Sequence, residues 1–112
     1  MMKVAYFAFN GKLMCFQHLL LNVLDLHEKG HEVKLIIEGE AVKLLKELVE
    51  SKHPLFAKVR ELNLIDSICK ACSATLGVLE YNETLGIPIN GDMNGHPPME
   101  PYLKEGYQVI VL

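Results

Sequence analysis

Cys69-Lys70-Ala71-Cys72 is the segment of this chain whose residue types and spacing are best suited to chemistry. A thiol reacts as its thiolate, and a helix N-terminus or an adjacent lysine lowers its pKa. Cys69 is expected at the end of a strand and Cys72 in the first turn of the next helix. Both would then feel the positive end of that helix dipole, with Lys70 between them. The junction also fits thioredoxin-type redox chemistry, although a tryptophan-glycine-proline context is absent. Zinc favours thiolate and imidazole ligands, so half of a metal site is the lesser alternative for the pair. A second C-x-x-C is missing, the H-x₃-H pair His27 and His31 flanks a helix end and reads as solvated, and the added donors are Cys15, His18 and His96. No metal is therefore assigned, and the catalytic expectation rests on Cys72 and Cys69.

The elements that must position these thiols follow from periodicity. Lys3 to Phe9 is a continuous apolar run, which reads as a strand buried on both faces. Asn10-Gly11 is a turn, and Leu13 to Lys29 carries a helical stripe that Gly30 terminates. Glu32 to Ile37 is a second strand. Glu38-Gly39-Glu40 leads into a helix over Ala41 to Ser51, which His53-Pro54 breaks. Leu55 to Leu62 is a short helix, Ile65 to Cys69 a third strand, and Ala71 to Thr84 a further helix. Gly86 to Asn90 is a poor or edge strand, because Pro88 cannot donate to a ladder. Gly91 to Pro98 is a loop, Pro101 to Gly106 a helical turn, and Tyr107 to Leu112 a last strand ending inside the sheet.

Strands alternating with helices predict a single α/β domain over residues 1–112. Its fold class is a Rossmann-like, open, mostly parallel sheet with helices on both faces. In the flavodoxin-like order, ligands bind between the first and third strands, beyond their carboxyl ends. Phe9 to Cys15 and Ile68 to Cys72 would meet there, and these two segments contain all three cysteines. Cys15, Asn10 and Lys70 are thus expected to line one crevice with Cys69 and Cys72. His96, on the rigid Asn94-Gly95-His96-Pro97-Pro98 loop, is a further binding residue, with Asp92 of similar standing. His27 and His31 flank a helix end and read as solvated.

Composition narrows the function classes. The chain has 112 residues, half of them hydrophobic, so it supports one core without staples. A net charge of −3 with no basic cluster argues against nucleic acid and against a polybasic membrane patch. No apolar run approaches the roughly 20 residues that span a bilayer, and the apolar start lacks a signal peptide's charged lead. An odd cysteine count is not a disulfide framework, so a reducing cytoplasmic setting is expected. Neither G-x-G-x-x-G nor a Walker pattern occurs, and no cofactor is expected.

Ile68-Cys69-Lys70-Ala71-Cys72-Ser73-Ala74-Thr75-Leu76-Gly77 resembles the cysteine segment of DsrE/DsrF-like proteins, which follows a strand and begins the next helix. The opening strand, the Val33 to Glu38 strand with Gly39-Glu40-Ala41-Val42, and the closing Tyr102 to Ile110 segment look similar too. The resemblance implies a Rossmann-like sheet assembled as a homo-oligomer, a trimer or hexamer. It also implies a persulfide on one cysteine, passed from a sulfur donor to an acceptor protein. Cys72 matches the persulfide position, and Cys69 matches members with a paired motif. Some members continue with Arg-Gly, where this chain has Leu76-Gly77.

Two functional readings follow. In the first, the chain is a sulfur-relay or sulfane-sulfur carrier. Cys72 thiolate takes the donor's terminal sulfur, and Cys69 then displaces hydrosulfide from the persulfide, leaving a disulfide. In the second, it is a non-catalytic oligomeric binding module whose thiols hold metal or sense redox state. Leu19, Leu20 and Leu21 running together suggest a helix buried on more than one side, hence self-association.

Overall fold

A computed structural model describes all 112 residues. Its strands are β1 (Lys3–Ala8), β2 (Glu32–Ile37), β3 (Ile65–Cys69), β4 (Ile89–Asn90) and β5 (Gln108–Val111). Its helices are α1 (Leu13–Glu28), α2 (Leu44–Glu50), α3 (Pro54–Glu61), α4 (Lys70–Thr75), α5 (Leu79–Glu83) and α6 (Glu100–Lys104). A 3₁₀ segment, Gly39–Lys43, precedes α2. The five strands form one parallel sheet in the order β4-β3-β2-β1-β5. The open, parallel α/β architecture is as the alternation of elements predicts.

The strand order explains how the layers are arranged. Connections β1 to β2, β2 to β3 and β3 to β4 each step one strand in the same direction. With right-handed crossovers, all three lay their helices on one face. The return from β4 passes over three strands to β5 and lays α6 on the other face. Alternating side chains divide accordingly. Val4, Tyr6, Ala8, Val33, Leu35 and Ile37 join the large core under α1 to α5, with Phe16, Leu20, Leu45 and Phe56. Ala5, Phe7 and Ile36 face a smaller cluster with Tyr102 of α6 and Tyr107.

This second face is finished by polar groups rather than by more helix. The Tyr102 hydroxyl donates to Asp66, the Tyr107 hydroxyl donates to Glu32 at 2.7 Å, and Lys34 lies over both rings. Burial first, then the neighbouring carboxylate, raises both phenol pKa values.

Several expectations are corrected here. β1 lies in the sheet interior, but between β2 and β5, so β2 separates it from β3. The flavodoxin-like meeting of first and third strands does not occur, because every early crossover advances the same way. β5 forms the edge opposite β4 rather than ending inside the sheet. The helix expected over Ala71 to Thr84 is two, α4 and α5, since Gly77 takes φ +75° and stops the first. Leu19 and Leu20 are in the core, and only Leu21 is exposed, so that Leu run is not an outer apolar surface. The edge strand at Pro88 does form, and Pro88 contributes only its carbonyl, accepting from Ile68 N at 2.9 Å.

Candidate functional site

Two strand ends, one helix start and one loop converge on a single point. Glu38 follows β2, Cys69 ends β3, Cys72 sits in the first turn of α4, and His96 lies in the loop after β4. This is the carboxyl edge of the sheet, where open α/β sheets place their ligands. Each side chain is held there by local backbone chemistry.

At β2 the chain turns sharply through Gly39, φ +53°. A Cβ on Gly39 would stand 2.9 Å from the Phe9 carbonyl oxygen, so only glycine lets β1 and β2 end this close together. The turn points the Glu38 carboxylate inward, where it is buried. At β3 the Cys69 sulfur accepts the Cys72 amide at 3.3 Å and so caps α4. After β4, Met93-Asn94-Gly95-His96 closes a two-residue turn with Met93 and His96 exchanging backbone bonds of 2.8 and 2.9 Å. Asn94 and Gly95 both have positive φ, the demand of a type I′ turn. The Gly95 carbonyl then accepts the Ala71 amide at 2.8 Å, docking the turn on the first turn of α4.

The result is a four-residue cluster. One donor atom each from Glu38, Cys69, Cys72 and His96 lies within 4.8 Å of the others. His96 Nδ1 is 3.2 Å from Cys69 Sγ, 3.7 Å from Cys72 Sγ and 3.8 Å from Glu38 Oε1. Zinc bonds of about 2.3 Å to sulfur and 2.0–2.1 Å to nitrogen or oxygen give tetrahedral S···N and N···O edges of about 3.4–3.6 Å. The observed edges scatter around that range.

The electrostatics follow from burial. Removal from water, then the adjacent Cys72 thiol and the Glu38 charge, push the Cys69 thiol up to about 12. Burial raises the Glu38 carboxyl as well, partly offset by His96 and by a hydrogen bond with Cys69. Left to itself, then, Cys69 is a neutral thiol, contrary to the expectation that the α4 dipole acidifies it. A bound cation reverses that sign, because a coordinating thiol is deprotonated outright.

The other expected residues fall elsewhere. Cys15 is exposed on α1 and lines a separate cavity of about 320 Å³ with Asn10, His18 and Asn22, near the ends of β1 and β5. Its separation from Cys69 follows from β2 standing between β1 and β3. Asn10 accepts the Lys12 amide at 2.8 Å, which shapes the entry into α1. Lys70 is exposed, and its stem packs by Gly91 rather than against the thiols. Asp92 takes its place in that loop, accepting no role at the cluster; its amide donates to Asn90. Glu38 is the residue the sequence reading passed over. Its signal was position, an acidic residue immediately after a buried strand at the sheet's carboxyl edge.

No helix is long and apolar enough to cross a membrane. No family model matches the chain. The fold is shared with a conserved protein of unknown function, BT1422 of Bacteroides thetaiotaomicron, at a TM-score of 0.64 and 20% identity, covering 96% of this chain and 94% of that one. An uncharacterized protein of Archaeoglobus fulgidus is 44% identical over 55 residues, 46% of this chain and 90% of its own length. The uncharacterized protein MJ0733 of Methanocaldococcus jannaschii is 36% identical over 118 aligned positions, 99% of this chain and 96% of the relative. With near-complete coverage of both chains at that identity, this protein belongs to the family of MJ0733.

Proposed function

We propose that the protein is a metal-binding module whose Glu38, Cys69, Cys72 and His96 hold one thiophilic divalent cation, with zinc the best match. The observation that carries this reading is that both sulfurs and the carboxylate crowd the same ring nitrogen, His96 Nδ1. A catalytic relay uses the two imidazole nitrogens for different partners, one for the nucleophile and one for the orienting acid. Three partners around one nitrogen share a point in space instead, which is the arrangement of ligands around an ion. Thiolate, imidazole and carboxylate are all zinc ligands. Free thiols at the site suit a reducing, cytoplasmic compartment.

The sulfur-carrier reading stands second, favoured by the position of Cys72 and the resemblance to DsrE/DsrF-like proteins. Cys72 is half-buried and borders an open groove of about 290 Å³ with Thr75 and Leu76. That groove contains Glu40 and no lysine or arginine, which suits anionic sulfur donors poorly. Self-association as a trimer or hexamer is part of the same reading, and light scattering at micromolar concentration tests it.

Native mass spectrometry and metal analysis of the purified protein decide between the two. The metal reading expects one zinc per chain, lost or weakened about 100- to 1,000-fold by Cys69→Ser or His96→Ala and untouched by Cys15→Ser, since about 10–16 kcal/mol is shared over four ligands. Metal-free protein that refuses zinc overturns it. A mass gain of one sulfur on Cys72 after incubation with polysulfide, abolished by Cys72→Ser, supports the carrier.

A further inference from the structure

The cluster does not close itself off on every side. A cavity of about 420 Å³ opens between Glu38 and His96, walled by Phe9, Met93, Pro97 and Met99. Its volume is that of a small-molecule pocket. Four protein ligands complete a tetrahedron, so an incoming donor makes zinc five-coordinate, which requires one side of that tetrahedron to be reachable. Here two of the four donor residues form part of the cavity wall.

The chemistry of the wall restricts what enters. Apart from the cluster residues, the lining is apolar except for Glu100, and no lysine or arginine contributes to it. Two thiolates and one carboxylate around a divalent cation leave one net negative charge. An anion entering this space would lose its hydration and meet two carboxylates without a cationic partner. A protonated amine is attracted by the carboxylates but has no free lone pair for a metal. An uncharged donor attached to an apolar body meets neither objection, and its body gains by leaving water.

We propose that this cavity is the ligand pocket of the metal centre and takes an uncharged small molecule with an apolar body and a nitrogen donor. The donor approaches the cation from the Glu38–His96 side while the body lies against Met93, Pro97 and Met99. This rests on the metal reading above, and the test separates the two.

Cobalt(II)-loaded protein reports its own coordination through its visible spectrum, so ligand binding is read directly. Three probes are titrated: 4-phenylimidazole, imidazole, and 4-(imidazol-4-yl)benzoate, whose carboxylate lies too far from the ring nitrogen to chelate. The expected result is a spectral change with 4-phenylimidazole at about tenfold lower concentration than with imidazole, from burial of the ring. The benzoate is expected to bind weaker than 4-phenylimidazole, because its charge meets the apolar wall and Glu100. Met99→Trp, which fills the cavity without touching the donor atoms, should take up cobalt normally and lose the response to 4-phenylimidazole. Cobalt uptake followed by a spectrum that none of the probes moves overturns the pocket and leaves the metal site standing. Equal binding of the benzoate, or full affinity in Met99→Trp, also overturns it. Failure to take up cobalt at all removes the metal reading itself, and the pocket with it.

Discussion

Cys15 and Cys69 are the same side chain in opposite settings, at two points on the carboxyl edge of one sheet. Cys15 stands exposed on α1 beside a cavity whose lining contains no second cysteine. Cys69 ends β3 with no exposed surface, caps a helix with its sulfur, and faces a histidine and a second thiol. The first setting makes a thiol accessible and leaves it without a second thiol. The second makes it inert as a nucleophile and, on the metal reading, valuable as a ligand, because burial penalises its anion until a cation arrives. On that reading, reactivity at neutral pH and affinity for metal pull apart within one chain, and four experiments bear on the contrast.

Alkylation offers the largest effect. In metal-free protein at neutral pH, Cys15 is expected to label first and Cys69 last, with Cys72 between them according to exposure. A thiol raised from 9.0 to about 12 carries about a thousandfold less thiolate, before burial adds its own barrier. Peptide mapping over time checks the order. Labelling of Cys69 as fast as Cys15 under native conditions would remove the contrast.

Alkaline stability comes next. The folded-state pKa of Cys69 lies above its ordinary value of 9.0, so the native state holds the proton more tightly than the unfolded chain does. The resulting stabilisation is complete below about pH 9 and is lost as pH rises toward 12. Tyr102 and Tyr107 act with the same sign above 10.0, so the informative quantity is the difference between the natural chain and Cys69→Ser. Urea unfolding of the metal-free proteins between pH 8 and 11 should show the natural chain losing of order 2 kcal/mol more than the variant. Parallel pH profiles would show that the buried thiol does not titrate this way.

A pair of glycines sharpens the comparison further. Gly95 and Gly77 both have positive φ, +95° and +75°. A Cβ on Gly95 would meet the Ala71 Cβ at 2.9 Å, whereas nothing stands within 4 Å of one on Gly77. Both alanine variants should cost about 1 kcal/mol of backbone strain. Only Gly95→Ala should also push His96 off the cluster and weaken zinc binding, by about tenfold, as a disturbed supporting contact does. Equal zinc affinity in the two variants, by competition with a chelator, would detach the turn from the site. Lys70→Ala marks the smallest effect. An exposed stem packed by Gly91 should change stability by less than about 0.5 kcal/mol and zinc affinity not at all.

Local pattern alone was enough for much of this molecule. The unbroken apolar run of Val4 to Ala8 marked a strand buried on both faces, and β1 is interior. Pro88 marked an edge strand, and the C-x-x-C marked a strand-to-helix junction where Cys69 and Cys72 now stand. These features depend on neighbours within a few residues, which is the range that propensity and periodicity report. The order of the strands does not. It depends on which way each crossover steps, and β1 and β2 are each apolar enough to sit beside several others. That one choice sent Cys15 to the β1/β5 end and brought Glu38, at the end of β2, beside Cys69. His96 joined them because an Asn-Gly turn after β4 docks on the first turn of α4, a contact across more than twenty residues of chain. Residue types and the ends of elements were therefore readable in the sequence. Which ends meet, and hence whether the thiols face a base, a cation or each other, was decided only when the sheet closed its long-range pairings.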